Sequence, residues 1–390
     1  MKEFNFKSPT EIVFGPQSEE EVGRLLTKYG AKNILIVIGK NSVVKSGLLN
    51  RVLKSIEKEN ITYELLSGVR ANPTFELVKQ GNQLVVNHSL DFILAIGGGS
   101  VIDTAKCIGV TAYYEGEITD FNFHVASPKT CLPIGVILTI AAAGSELSSS
   151  CVIQDDESGI KSGFNSDLVR PVFAIENPEL TYSVSKEQTA YGIVDILMHT
   201  LERYFCPSED YELADEFALG LLKNVIEAGS VAFNNPNDYD SRAALMLASS
   251  LSHNGITSIG KKYWMPVHQL EHALSGKFIK VAHACGLAIL FPGWAQKYYV
   301  YDIPKFARLA RHVFGIHLDS EEEEAKACLV AFKEYFKSLD MPTKLSEVGV
   351  KEKDVEILAD IVTKEGSREI PHHSLHLSKE VAKEIYLMVL

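Results

Sequence analysis

The chain has 390 residues, 46% of them hydrophobic, enough for two domains with substantial cores. Fifty acidic against thirty-eight basic side chains give a formal charge of −12, which argues against nucleic acid or an anionic membrane as a partner. Six cysteines without CxxC spacing point to buried free thiols, and they speak against a disulfide framework, an iron–sulfur cluster or a structural zinc site. Residues 1–10 lack the apolar run of a signal peptide, and no segment is apolar over the length of a bilayer span. The expectation is a cytoplasmic protein.

The first half alternates short apolar runs with amphipathic stretches, the βαβ pattern. Helices are predicted over 18–29, 47–59 and 75–87, and buried strands over 33–38 (NILIVI), 62–66 (TYELL) and 91–96 (DFILAI). The last strand feeds GGGSVIDTAK, residues 97–106. Three glycines after a buried strand permit a tight turn and close backbone approach, and Ser100 would cap the helix that follows. Free amides and the helix dipole would hold a diphosphate there. A glycine triplet alone fits a plain strand-to-helix turn equally well, and this one is neither GxGxxG nor a P-loop.

After Asn177-Pro178-Glu179-Leu180-Thr181 the strand pattern disappears. Helices are predicted over 188–205, 210–234, 241–257, 267–274, 283–298, 304–313, 321–339, 352–363 and 379–388. Ser320 and Ser378 head acidic first turns, and Pro304 suits the first turn of its helix. The Glu321–Glu324 run reads as a helix start complementing the dipole.

Two of these helices carry chemistry. In GIVDILMHTLE, Asp195 and His199 are four apart on an apolar segment, where a buried carboxylate needs a partner. In WMPVHQLEHALSGKFIKVAH, His268 and His272 are also four apart, one turn above the other on a helix that Gly276 would stop, and His283 returns beyond the break. Asp195, His199 and two of the three downstream histidines would offer one oxygen and three nitrogens to a divalent first-row metal. Spacing alone does not choose the two, and an i,i+4 histidine pair is often incidental. His372, His373 and His376, in a polar turn without a carboxylate pattern, receive no metal role.

GIVDILMHTLERYF, W(x)3H(x)3HALSG and AHACGLAILFP together resemble the metal region of the iron-dependent (group III) alcohol dehydrogenases, most closely their butanol-dehydrogenase-like branch. GGGSVIDTAK matches that family's GGGSxxDxAK at every fixed position. The resemblance runs from about Phe14 to the C-terminus and weakens at PHHSLH. It implies a dehydroquinate synthase-like fold: an α/β nucleotide-binding domain with a parallel, Rossmann-like sheet at 1–184, then an all-α metal-binding domain at 185–390, with the reaction in the cleft between them.

Carried over by position, the metal ligands are Asp195, His199, His268 and His283, while His272 falls beside the nicotinamide and would relay the proton. Gly98, Gly99 and Ser100 would hold the pyrophosphate, with Asp103 toward the nicotinamide. Asn72 of the Asn-Pro-Thr turn would contact the cofactor, Thr139 and Ser148 would lie near adenine and ribose, and Lys161 near a ribose. Ala142-Ala143 stands where many members have Gly-Thr, and the usual Pro before Thr139 is absent. The implied activity is reversible hydride transfer between NAD(P) and a small primary alcohol or aldehyde, in a homodimer. Fe2+ is the family's ion, and Zn2+ or Ni2+ are the alternatives that the affinity order of nitrogen and oxygen ligands offers.

Other readings are a glycerol-dehydrogenase-like polyol oxidoreductase, a dehydroquinate synthase-like lyase, and a non-catalytic nucleotide-binding relic. The Asp-His-His-His pattern and the lack of a basic cluster for an anionic substrate weigh against the lyase; the complete ligand set weighs against the relic. NADP is expected ahead of NAD. A carboxylate ending the strand NILIVI would take the ribose hydroxyl and repel a 2′-phosphate, and this chain has none. Members selective for NAD often carry Asp where Gly39 stands. Ser42 would donate a hydroxyl and Lys40 a counter-charge; alternatively, Gly39 only makes a tight turn.

Overall fold

A computed structural model describes residues 3–156, 161–206, 212–371 and 375–390. The chain forms two compact units. One comprises Lys7–Ser183 together with Ser249–Asn254; the other comprises the first residues up to Phe6, Val184–Ala248 and Gly255–Leu390.

The first unit is α/β, with strands β1 (Glu11–Phe14), β2 (Asn33–Gly39), β3 (Thr62–Val69), β4 (Phe92–Gly97), β5 (Ile134–Leu138), β6 (Ser150–Gln154), β7 (Lys161–Asn165) and β8 (Phe173–Glu176). Its helices are α1 (Val22–Lys28), α2 (Ser42–Lys45), α3 (Leu48–Lys58), α4 (Phe75–His88) and α5 (Gly99–Thr111). Six strands form one sheet in the order β1-β8-β5-β4-β2-β3, every pairing parallel. β2, β4 and β5 are apolar and buried almost throughout, as strands covered on both faces must be. β6 and β7 form a separate antiparallel ribbon.

The second unit is helical: α6 (Lys186–Tyr204), α7 (Glu212–Asn234), the start of α8 (Tyr239–His253), α9 (Pro266–Lys277), α10 (His283–Tyr298), α11 (Ile303–Phe314), α12 (Glu321–Ser338), α13 (Glu352–Thr363) and α14 (Lys379–Met388). Aromatic side chains fill its centre: Trp294 stacks on Tyr298 with ring centres 4.8 Å apart, and Phe205 on Phe306 at 4.3 Å. The unit boundary falls inside α8, whose last turn clusters with the α/β unit. Among the described residues, no helix is long and apolar enough to cross a membrane.

Several expectations change in detail. The predicted helix at 18–29 opens as a 3-10 turn, Ser18–Glu21, before α1. Gly276 does not stop α9, which runs to Lys277 and closes with the Phe278 N–H donating to Leu274 O. Gly276 is absent from the glycines with positive φ, so no left-handed stop is used. Ser100 is not a cap: Gly98 is the N-cap of α5, with no side-chain cap, and Ser100 lies inside the first turn. The caps at Ser320 and Ser378 form as expected, accepting from Glu323 N and Val381 N. The predicted start of α7 at 210 and the histidines 372 and 373 lie outside the described residues.

Candidate metal and nucleotide sites

α6 is a helix whose middle is buried on every side, so its polar residues must find partners inside. Asp195, His199 and Glu202 follow one another at i, i+4 and i+7, which sets them on one face. All three are buried, at 7%, 6% and 1% exposure. α9 brings His268 in its first turn, with Pro266 opening the helix, and α10 begins with His283.

The three imidazoles converge on one oxygen. His199 Nε2 lies 3.4 Å from Asp195 Oδ1, His268 Nε2 3.8 Å and His283 Nε2 3.9 Å. Asp195 Oδ1 and His268 Nε2 are both buried without a hydrogen-bond partner among the described residues. Orphaned buried polar atoms are costly, and atoms this close that do not bond to each other suit a shared ion. Nitrogen and oxygen ligands at about 2.0–2.2 Å from a tetrahedral metal are about 3.3–3.6 Å apart, so the His199 separation matches a closed set and the His268 and His283 separations are slightly wider. The residues fit the group.

Two carboxylates that spacing did not single out complete the arrangement. Glu202 Oε2 pairs with His268 Nδ1, and Glu271 Oε2 with His283 Nδ1. Burial opposes charge on His268 most strongly, but the Glu202 and Asp195 carboxylates together outweigh it and raise the ring to about 9. The surroundings therefore favour positive charge at this point. On the other side, Arg203 is buried, donates from NH1 to His199 O at 2.5 Å, and lies over the Tyr263 ring at 4.8 Å. His272, partly buried, stands beside the cluster with its ring centre 6.3 Å from His268 and 5.6 Å from His283.

In the α/β unit, β4 runs into Gly98 and α5. A Cβ at Gly98 would sit 2.4 Å from Ile140 Cγ2, so only glycine lets the backbone pass. The first turn of α5 carries neither a side-chain cap nor an acidic residue, which leaves its amide end suited to an anion. Asp103 is held by Ser145 Oγ, which donates at 2.6 Å, and by Val152 N–H at 3.0 Å; burial pushes its carboxyl up. Thr139 N–H donates to Gly97 O, setting that residue beside the glycine turn.

Lys106 went unremarked in the sequence beyond its motif. Fully buried, it donates to Ser145 O at 2.7 Å and Oγ at 3.1 Å, to Ser148 O and Oγ at 3.0 Å each, and to Ser150 O at 2.8 Å. A lysine among Ala105, Cys107 and Ile108 was the signal. Ser148 is thus buried with its hydroxyl committed to Lys106.

Asn72 adopts φ 55°, which asparagine tolerates, and Pro73 O accepts from Gln154 N at 2.8 Å. Gln154 faces Lys161 across the β6–β7 ribbon, so the Asn72 turn and Lys161 are gathered at one residue. Gly39 ends β2 opposite Val69, and Ser42 opens α2. Gly39 is not among the glycines of positive φ, and a Cβ there would meet only Val69 O at 3.7 Å, an ordinary contact. No turn demands glycine at this position.

Residues 9–178 match the family described as iron-containing alcohol dehydrogenase, and residues 189–386 match the C-terminal part of the Fe-containing alcohol dehydrogenase family. The chain is 37% identical over 362 residues to NADH-dependent butanol dehydrogenase A of Clostridium acetobutylicum, covering 92% of each. It is 32% identical over 391 residues to the NADPH-dependent aldehyde reductase YqhD of Escherichia coli, covering 99% of each. The crystal structure of NADH-dependent butanol dehydrogenase A from Thermotoga maritima superposes with a TM-score of 0.95 at 31% identity, covering 100% of this chain and 99% of that one. With a parallel sheet, a helical second half and both family segments matched, this chain belongs to the iron-containing alcohol dehydrogenase family.

Proposed function

We propose that the protein is an NAD(P)-dependent, metal-requiring alcohol dehydrogenase that works as a reductase of small aldehydes, with NADPH preferred over NADH and ferrous iron as the ion. The observation that carries this is the convergence of three imidazole nitrogens and one carboxylate oxygen, from three helices, in a buried patch where Asp195 Oδ1 and His268 Nε2 lack hydrogen bonds. When bound, a divalent ion there would supply Lewis acidity for the substrate oxygen, and a nicotinamide would supply the hydride chemistry.

Asp195, His199, His268 and His283 hold the ion. Around them, three buried carboxylates, Asp195, Glu202 and Glu271, stand against one buried guanidinium, Arg203. Two negative charges remain, which suits a dication. His272 is one helical turn from His268 and outside the converging set; it moves the proton at its ring nitrogen between substrate oxygen and solvent. The amide end of α5 at Gly98, Gly99 and Ser100 takes the diphosphate, with Asn72, Thr139 and Lys161 on the sugar side.

The relatives named above differ in nicotinamide cofactor, so preference rests on this chain's own residues. Gly39 offers no carboxylate to repel a 2′-phosphate, and Ser42 and Lys40 follow it. The test follows the absorbance of NADPH and NADH with butanal, using chelator-stripped protein resupplied with ferrous ion or zinc. Turnover should vanish on stripping and return with metal; turnover that survives stripping, or none with either nucleotide, refutes the reading. In Gly39→Asp, the ratio of kcat/KM for NADPH over NADH should fall at least tenfold, about 1.4 kcal/mol of close like-charge repulsion. A wild-type preference for NADH, or an unmoved ratio, refutes the cofactor assignment.

A further inference from the structure

Glu202 and Glu271 lie outside the converging ligand set, yet each is buried and each meets the Nδ1 of a different imidazole. An imidazole that gives one nitrogen to a cation is neutral and carries its one N–H on the other nitrogen. Because a carboxylate only accepts, the proton of His268 sits on Nδ1 and is donated to Glu202; that of His283 sits on Nδ1 and is donated to Glu271. Both rings are left with the Nε2 lone pair, and both Nε2 atoms face Asp195 Oδ1, at 3.8 and 3.9 Å.

The two contacts run along the chain in series. Glu202, on α6, sets His268 on α9; Glu271, on α9, sets His283 on α10. Glu202 does a second job, since Oε1 accepts from Val267 N at 2.6 Å and Oε2 from His268 N at 3.3 Å, so it also closes the open amide end of α9. Glu271 has no such duty, and its Oε1 is buried without a hydrogen-bond partner among the described residues. A buried carboxylate with one unmet oxygen makes a poor contribution to packing; its use is the imidazole.

The structure assigns Glu202 and Glu271 as positioning residues that fix the ligand nitrogen of His268 and His283 and strengthen both rings as donors to a divalent cation. This rests on the metal reading above. A carboxylate behind a ligating imidazole fixes its tautomer and raises its basicity, and its loss weakens metal affinity by ~10–100-fold. Glutamine at 271 removes the charge, and by turning its amide it can donate to Nδ1, which forces the proton onto Nε2 and blocks that nitrogen.

The test measures cobalt(II) affinity of chelator-stripped wild type, Glu271→Gln and Glu271→Asp by competition with a chromophoric chelator, and the thermal midpoint of each stripped protein. Glu271→Gln should bind ~10–100-fold more weakly while its stripped form melts no lower than wild type, and Glu271→Asp, which keeps the charge, should retain more affinity than Gln. Glu202→Gln should lose both affinity and stripped-state midpoint, because it also closes α9. Equal affinity in wild type and Glu271→Gln overturns the assignment. So does a Glu271→Gln protein that, once stripped, unfolds earlier or fails to fold, since that marks a packing role. Failure of the wild type to bind cobalt would instead overturn the metal reading itself.

Discussion

Replacing Glu176 by Gln should flatten the dependence of stability on pH. Glu176 ends β8, and Ser250 Oγ lies 2.6 Å from its Oε1 and 2.7 Å from Glu146 Oε1. One hydroxyl has one proton, so one contact is serine donating and the other is a protonated carboxyl donating to the serine oxygen. Burial, reinforced by the Glu146 charge, raises Glu176 to about 8 from an ordinary 4.5. Glu146 is raised too, by burial, and is held back by its serine bonds and by Lys106.

The folded protein thus binds more protons than the unfolded chain between those two values, and stability falls as pH rises through that window. The slope is about 1.4 kcal/mol per pH unit, so roughly 5 kcal/mol is lost by pH 8, with no further loss from this group above it. Gln can donate its amide N–H to the Ser250 oxygen in place of the carboxyl proton, and it cannot ionise. Thermal midpoints measured from about pH 5 to 9 should decline more steeply in wild type than in Glu176→Gln, at ~2–4 °C for each kcal/mol. Parallel lines for the two proteins would refute the shared-proton account.

Three further substitutions probe the sites. His268→Ala and His283→Ala should each lose bound metal and turnover together, read by metal content and by butanal-dependent NADPH oxidation; a variant with full metal and wild-type rate would remove that residue from the ligand set. Lys106→Met keeps the apolar stem but removes the buried ammonium that five oxygens share, and should cost on the order of 3 kcal/mol in a urea titration. An unchanged midpoint would mean the serine backbone finds other partners.

The legibility of this chain follows burial. β2 and β4 were readable because strands covered on both faces must be continuous apolar runs, and NILIVI and DFILAI are. β1 was not, because four residues beside Gly15 acquire strand character only by pairing with β8, 162 residues away at Glu11 and Phe173. The β6–β7 ribbon was missed for a similar reason: Lys161-Ser-Gly-Phe-Asn has one buried residue, and its pairing with β6 is invisible locally.

At the imidazole cluster, spacing paired Asp195 with His199, since i,i+4 geometry is a property of the helix alone, whereas His268 and His283 reach them by the packing of other helices. Glu202 and Glu271 escaped because their partners are on other helices. The reasoning applied to Asp195, that a carboxylate in an apolar helix needs a partner, applies to both and would have found them. Gly276 misled in the opposite direction, because a glycine near a helix end is a stop only where the backbone turns left-handed.

The last turn of α8 bears on how this chain could be divided. Ser249–Asn254 belongs with Lys7–Ser183, although 65 residues of the helical unit, Val184–Ala248, intervene in the sequence. A gene fragment ending near residue 184 would express the whole parallel sheet yet omit Ser249 and Ser250, the hydroxyls that meet Glu146 and Glu176. Those two buried carboxyls would then face each other with no serine between them, and the fragment would be a poor independent folder. Recombination that exchanges nucleotide-binding halves between relatives would have to carry the end of α8 along as a second, detached piece.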